Sequence, residues 1–160
     1  MDINNEHNYT IDYMTDDEIY KESVKAKYKI IELYNENKLG DPDVDFKYGA
    51  CGILAGMLYN IYPGKAKVYL SNDHAIVQIG SKFQDIDSLN TNETLEKIGT
   101  GIFYPLDLRV ESDRDRFYCF LDRCKIQSTG EYGKKIKEIE EQVKEEMGYE
   151  YETKVRTKAL

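Results

Sequence analysis

The sequence has no tryptophan and is poor in the residues that build cross-links and metal sites, with three cysteines and two histidines in 160 residues. Three cysteines cannot all pair, and a reducing compartment keeps them as thiols, so no disulfide framework is expected. The five-residue step from Cys119 to Cys124 has no matching second pair, and a zinc site therefore lacks its usual ligand spacing. We expect neither a metal nor another cofactor.

Long apolar runs are also missing. The longest one, from Ile53 to Leu58, is far shorter than the roughly 20 residues that a helix needs to cross a bilayer. Residues 1–13 are polar and acidic, where an export signal would place a basic segment followed by an apolar one. These features predict a cytoplasmic protein without a membrane segment.

Acidic residues outnumber basic ones, with 30 Asp and Glu against 22 Lys and Arg, so the net charge is −8. Nucleic acids are bound largely through clustered cations that neutralise phosphates, so we expect no nucleic-acid partner. A negative field would instead steer basic peptides or proteins towards the chain.

The length and the apolar content predict a single domain. Apolar residues make up 41% of the chain, which is enough to bury a single core. We place this domain at residues 15–148, after a loose leader at 1–14 and before a tail at 149–160. No repeat or low-complexity linker divides it.

Amphipathic helices are predicted at both ends of this domain. Thr15 to Glu18 has the spacing of a capping box and predicts a helix start, while Gly40 and Pro42 mark its end. Apolar residues recur at helical spacing from Arg114 to Lys125 and from Lys134 to Met147. The stripe of the last helix spans only two heptads, which favours a monomer or a weak dimer over a stable coiled coil.

The segment from Gly49 to Tyr62 is apolar nearly all round, which predicts a buried helix. Glycine inside a helix costs about 1 kcal/mol relative to alanine, so Gly52 and Gly56 need a structural reason. We expect a sheet to lie flat against the face that carries them. The segment from Asp41 to Tyr48 is interpreted as a short acidic connection into this helix.

Three alternating segments after this helix predict β-strands, at Lys65–Leu70, His74–Ile79 and Lys82–Asp87. Gly80 and Ser81 fit a two-residue type II′ turn, which favours glycine at its first position. This turn length determines which residues of the second and third strands pair with each other.

The predicted register brings His74 to a carboxylate. If Ile79 pairs with Lys82, His74 lies directly opposite Asp87 on the same face, with Cβ atoms about 4.5 to 5.5 Å apart. Asp85 is then the diagonal neighbour, one step further away.

Cys51, His74 and Asp87 are the chemical types of a thiol-based acyl-transfer site. A cysteine attacks an acyl carbon as the thiolate, and a helix start stabilises that charge. A histidine serves as its base, and an acid orients the imidazole. The Cys51 amide is an expected oxyanion donor, and Tyr48 is the candidate for a second donor.

Three short motifs carry a resemblance to a known group of enzymes. Gly49-Ala50-Cys51-Gly52, the strand His74–Ile79 and the strand Lys82–Asp87 together resemble the transglutaminase-like and wider papain-like cysteine enzymes. The resemblance covers about 40 residues. It implies a small α+β fold in which a buried Cys helix packs on an antiparallel sheet, with helices flanking it at both termini.

The resemblance also implies roles for individual residues. Cys51 matches the nucleophile, His74 the base and Asp87 the orienting acid. Asp85 is the alternative acid, because some small phage-borne and bacterial relatives carry the acid of a Lys-aromatic-x-Asp step, here Lys82 to Asp85. The reaction that it implies is acyl transfer through a thioester.

These features predict a cysteine hydrolase that acts on peptide or amide bonds, as a peptidase, deamidase or isopeptidase. One alternative is an acyl or glutaminyl transferase that uses the same three residues with an amine as acceptor. A second alternative is a non-catalytic papain-like module that binds a host protein through its acidic surface or through the Ile136–Met147 stripe.

Overall fold

A computed structural model describes residues 14–87, 92–123 and 130–148. Over these ranges the protein has an α+β fold with six α-helices and a four-stranded antiparallel sheet. The described helices include none with the length and apolar character needed to cross a membrane. Apart from Met14, the predicted leader at 1–14 and tail at 149–160 lie outside the described residues.

The elements in chain order are α1 (Asp16–Glu36), α2 (Pro42–Tyr48), α3 (Cys51–Ile61), β1 (Ala66–Leu70), β2 (Ala75–Ile79), β3 (Lys82–Gln84), α4 (Asn92–Gly99), β4 (Tyr104–Leu106), α5 (Glu111–Arg123) and α6 (Gly130–Val143), followed by a π-helical segment (Lys144–Gly148). The strand order in the sheet is β3-β2-β1-β4. Both β1 and β2 pack against α3, which places the Cys helix on the sheet as expected.

The predicted capping box starts α1. The Glu18 amide donates to the Thr15 hydroxyl at 3.1 Å, and the Thr15 amide donates to Glu18 Oε1 at 2.8 Å. The two bonds satisfy amides that a helix start otherwise leaves open. The helix ends at Glu36, ahead of Gly40, as the sequence predicts.

The interpretation of Asp41 to Tyr48 as a connection is wrong, because most of this segment forms α2. The Asp43 amide donates to Asp41 Oδ1 at 3.0 Å, so Asp41 is the N-cap, and Pro42 occupies the first turn, where its missing N–H costs nothing. Phe46 is fully buried and attaches the helix to the core. Helix α2 therefore fixes the approach of the chain to Cys51.

The two glycines of α3 face another helix. A Cβ on Gly52 would lie 2.7 Å from Leu121 Cδ2, and one on Gly56 would lie 3.5 Å from the Phe117 ring. Both of these neighbours belong to α5. The expectation that the glycines make room for the sheet is therefore wrong, since they allow the large side chains of α5 to approach α3 closely.

The predicted register of the β2–β3 hairpin is confirmed. Ile79 pairs with Lys82, and the ladder continues to the pair of Val77 and Gln84. Gly80 has a φ of 64°, a value that glycine adopts without strain, as the two-residue turn requires. Beyond Gln84 the regular pairing stops, and this ending decides which acid reaches His74.

The apolar stripe of α6 is used inside the domain. Ile136, Ile139 and Val143 are all buried, and α6 packs against α1 and α3. The stripe therefore offers little free surface to a helical partner, contrary to its suggested use in a binding module. Leu39, Tyr132 and Met147 add partly buried side chains to the same core.

Candidate active site

Three elements of the fold converge on the candidate site. Cys51 is the first residue of α3, His74 lies immediately before β2, and Asp85 lies immediately after β3. The hairpin register places His74 and the end of β3 on neighbouring strands, while the packing of α3 on β2 brings Cys51 to the same point. Residues from distant parts of the chain therefore meet at one end of the sheet.

The imidazole of His74 is bonded to the carboxylate of Asp85. His74 Nε2 lies 2.6 Å from Asp85 Oδ2, and the side chain of Asp85 is only 7% exposed. The other oxygen, Oδ1, accepts from the Asp87 amide at 2.7 Å, and the Asp85 amide donates to the Asp87 carbonyl at 3.0 Å. These bonds hold the carboxylate in one orientation towards the imidazole.

The thiol of Cys51 lies close enough to the imidazole of His74 to affect its pKa. Because Asp85 occupies Nε2, Nδ1 is the ring nitrogen that remains for a thiol partner. Burial lowers the pKa of His74, but hydrogen bonds and negative charge from Asp85 and Cys51 outweigh it and raise the pKa to about 10. The raised pKa favours the protonated imidazole at neutral pH.

The expectation that Asp87 contacts His74 is wrong. Its carboxylate is 59% exposed and lies 3.6 Å from Lys47 Nζ. The regular ladder ends at Gln84, and the chain then turns through residues 85–87, which directs Asp87 outward. Asp85, the diagonal neighbour in the predicted register, makes the contact instead.

The start of α3 supplies amide donors near the thiol. Ala50 is the N-cap and has no side-chain group that could accept from the first turn. The amides of Ile53 and Leu54 donate to the Ala50 carbonyl at 3.0 and 3.1 Å. The amides of Cys51 and Gly52 precede them, in the part of a helix that lacks intrahelical partners. Both are therefore suited to bind an oxyanion.

The role expected for Tyr48 stays a prediction. This residue ends α2, three positions before Cys51, and is 77% exposed. The amide of Gly52 is a second candidate donor that the sequence analysis did not identify. Its position in the first turn of the predicted helix indicated an amide without an intrahelical partner.

An open cavity of about 600 Å³ borders the exposed side of His74. Its walls are the turn from Ser71 to Asp73, Lys97 of α4 and the loop from Gly101 to Tyr104. The Phe103 ring lies edge-on to the imidazole, with 6.4 Å between the ring centres. Cys51 itself is only 2% exposed, whereas the side chain of His74 is 22% exposed. Solvent therefore reaches this site mainly from the side of His74.

Cys119 is not part of this arrangement. Cys119 is exposed on α5, and Cys124 lies outside the described residues. Within the described ranges, no group of three or more His, Cys, Asp or Glu side chains is arranged to hold a metal ion.

No family model, curated protein or solved structure matches this chain. The site consists of a buried thiol at a helix start, an imidazole whose pKa is raised, and a buried carboxylate that is hydrogen-bonded to this imidazole.

Proposed function

We propose that the protein is a papain-like cysteine hydrolase that cleaves peptide or amide bonds through a thioester. The observation that supports this proposal best is the position of His74, which is hydrogen-bonded to Asp85 and lies close enough to Cys51 for the two groups to interact. An imidazole held between a thiol and a carboxylate is the arrangement that activates a cysteine for attack on an acyl carbon.

In the first half of the reaction the Cys51 thiolate attacks the carbonyl carbon of the substrate. A tetrahedral intermediate forms, and its oxyanion accepts hydrogen bonds from the amides of Cys51 and Gly52. The C–N bond then breaks, and His74 donates its proton to the departing amine. Cys51 is left as a thioester and His74 as a neutral base.

In the second half a water molecule attacks the thioester carbon. Neutral His74 accepts a proton from this water, the C–S bond breaks, and the Cys51 thiolate leaves with the bonding electrons. The products are a carboxylic acid and the regenerated pair of thiolate and imidazolium. Asp85 keeps its hydrogen bond to Nε2 throughout, so that Nδ1 continues to face the sulfur.

The cavity beside His74 is the proposed route for the substrate. Its volume of about 600 Å³ suits one or two amino-acid side chains of a peptide or protein. Ile102 and Phe103 give one wall apolar surface, while Asp73 and Lys97 bring opposite charges. The net charge of −8 favours basic substrates at the encounter stage.

Acyl transfer to an amine is the second candidate. It is supported by the burial of Cys51, which is 2% exposed, because a buried thioester is less open to attack by water. Turnover of an amide substrate with and without added primary amine distinguishes the two reactions. Transfer yields a conjugate that mass spectrometry detects, whereas hydrolysis yields the free acid.

Alkylation with iodoacetamide at pH 6 tests the proposed nucleophile, with Cys119 in the same chain as a matched control. We expect Cys51 to react at least about tenfold faster than Cys119, even though Cys119 is exposed and Cys51 is buried. His74→Gln should abolish this preference. Equal rates at the two cysteines that do not change in His74→Gln would contradict the proposal.

A screen of fluorogenic peptide amides tests turnover itself. Activity should disappear in Cys51→Ala and remain in Cys119→Ala. A protein that keeps its biological effect in Cys51→Ala would instead be the binding module described above.

A further inference from the structure

Helix α1 holds the strand segment that carries Asp85. Among the described strands, β3 is a three-residue edge strand that pairs only with β2, so regular pairing anchors it on one side. Three residues on one face of α1 contact three consecutive residues of this segment. The Tyr20 hydroxyl donates to the Phe83 carbonyl at 3.5 Å, and Gln84 Nε2 donates to the Ser23 hydroxyl at 2.7 Å. Lys27 Nζ donates to the Asp85 carbonyl at 3.1 Å.

Lys27 is the unusual member of this stripe because it is a buried cation. It is 3% exposed, whereas lysine is almost always found on the protein surface. Burial of an ammonium group is costly, and an apolar residue of the same length often fills such a position with equal or better stability. The burial lowers the pKa of Lys27, while the charges of Asp85 and Asp87 raise it. Core stability alone is therefore a poor reason for a lysine here.

The hydrogen bond of Lys27 is made to the residue that orients His74. Asp85 begins a turn in which its own carboxylate accepts from the Asp87 amide, so the carbonyl and the carboxylate of Asp85 belong to one rigid unit. Fixing the carbonyl with an ammonium donor also fixes the direction of the carboxylate. In that direction Oδ2 lies 2.6 Å from His74 Nε2.

We propose that Lys27 is a positioning residue for the candidate active site, which locks the Asp85 turn so that its carboxylate reaches His74. Lys27 acts through Asp85 and makes no contact with the reacting atoms. Its benefit to catalysis rests on the proposed function, whereas its effect on His74 does not.

The sign of the effect on His74 separates positioning from simple charge. The charged or titratable groups around the pair are Asp85 and Asp87 on the turn, Cys51 on α3, and Lys47 on α2, which pairs with Asp87. If Lys27 acted only as a nearby positive charge, its removal would raise the pKa of His74. If Lys27 positions Asp85, its removal weakens the imidazole–carboxylate bond and lowers the pKa of His74.

The experiment is an NMR titration of His74 from pH 5 to 11 in Lys27→Met, which keeps the length of the side chain but loses the donor and the charge. His7→Gln as the common background leaves one imidazole signal, since the chain has two histidines. We expect the pKa of His74 to fall by about 1 or more. Lys25→Met is the matched control, because Lys25 lies on the same helix with a side chain that is 69% exposed, and it should leave the pKa unchanged.

A His74 pKa that is unchanged or raised in folded Lys27→Met overturns the proposal. If this variant does not fold, Lys27→Gln replaces it as the uncharged variant and the same criterion applies. Lys27→Arg keeps a charged donor at this position. In either case, the decrease in the His74 pKa in this variant should be at most half of the decrease in the uncharged variant. A lack of recovery also counts against positioning by hydrogen bonding.

The Cys51 alkylation rate at pH 6, measured on the same variants, keeps this proposal distinct from the proposed function. An inert Cys51 in the parent protein would refute the proposed function, while a fall in the His74 pKa would still support the role of Lys27. A reactive Cys51 with an unchanged His74 pKa would refute only the role of Lys27.

Discussion

Asp85→Asn is the most informative single change, because it removes the charge behind His74 while keeping the shape of the side chain. The pKa of His74 is raised from 6.5 to about 10. A rise of this size corresponds to roughly 5 kcal/mol of preference for the protonated form in the folded protein. Cys51 shares in the effect and the imidazole is 22% exposed, so we assign about half of it, roughly 2 to 3 kcal/mol, to Asp85.

The sign of the pH dependence follows from the direction of the shift. A pKa that is raised on folding stabilises the folded protein fully below pH 6.5, and this stabilisation is lost as the pH rises to about 10. The free energy of unfolding of the parent protein should therefore exceed that of Asp85→Asn by roughly 2 to 3 kcal/mol at pH 6. Near pH 10.5 the difference should approach zero.

Urea unfolding followed by circular dichroism at several pH values between 6 and 10.5 measures this difference. Asp87→Asn is the matched control, because Asp87 is two residues away and pairs with Lys47 on the surface, where an ion pair contributes about 0 to 1 kcal/mol. A difference that does not change with pH, or an Asp87→Asn variant that behaves like Asp85→Asn, would refute the assignment of Asp85 as the partner of His74.

Three further predictions test the fold that carries the site. Gly80→Ala should destabilise the protein by at least about 2 kcal/mol, because its Cβ would lie 2.5 Å from the Asp16 carbonyl oxygen. Gly64→Ala is the control. Its Cβ would meet open space, so it should cost only the strain of a positive φ, about 1 kcal/mol. Urea unfolding that gives equal losses for the two variants would contradict the close approach. Thr15→Ala removes the capping box and should lower the free energy of unfolding by about 1 kcal/mol, while a loss below about 0.3 kcal/mol would argue against the cap. Ile139→Ala should lower the free energy of unfolding by about 2 to 4 kcal/mol, since the α6 stripe is buried within the domain. The molar mass measured by light scattering should stay the same. A change in molar mass would indicate that the stripe forms an interface between chains.

The start of α1 and the β2–β3 hairpin could be predicted because their signals are local. The capping box closes through bonds between residues three positions apart, and the Gly80 turn joins strands that are neighbours in sequence. Local bonds of this kind depend little on the rest of the chain, so residue types and spacing are enough to locate them. The presence of both helices and strands follows from the same kind of local pattern.

Packing between distant elements was harder to predict. The two glycines of α3 correctly indicated a close contact, but periodicity contains no information on whether a helix or a sheet makes it. Helix α2 was missed although Asp41 and Pro42 carry the signals of a helix start, because seven residues are too few to show an apolar period.

The sequence alone determined a cysteine at a helix start, a histidine at a strand start and a hairpin register that places two acids near that histidine. Only the tertiary structure decided between the acids. Asp87 is directly opposite His74 in an extended ladder, but the ladder ends at Gln84 and the following turn directs Asp87 to the surface. That turn is bonded to Lys27, 58 residues earlier in the chain, and a bond over such a distance exists only after α1 has packed against the edge of the sheet.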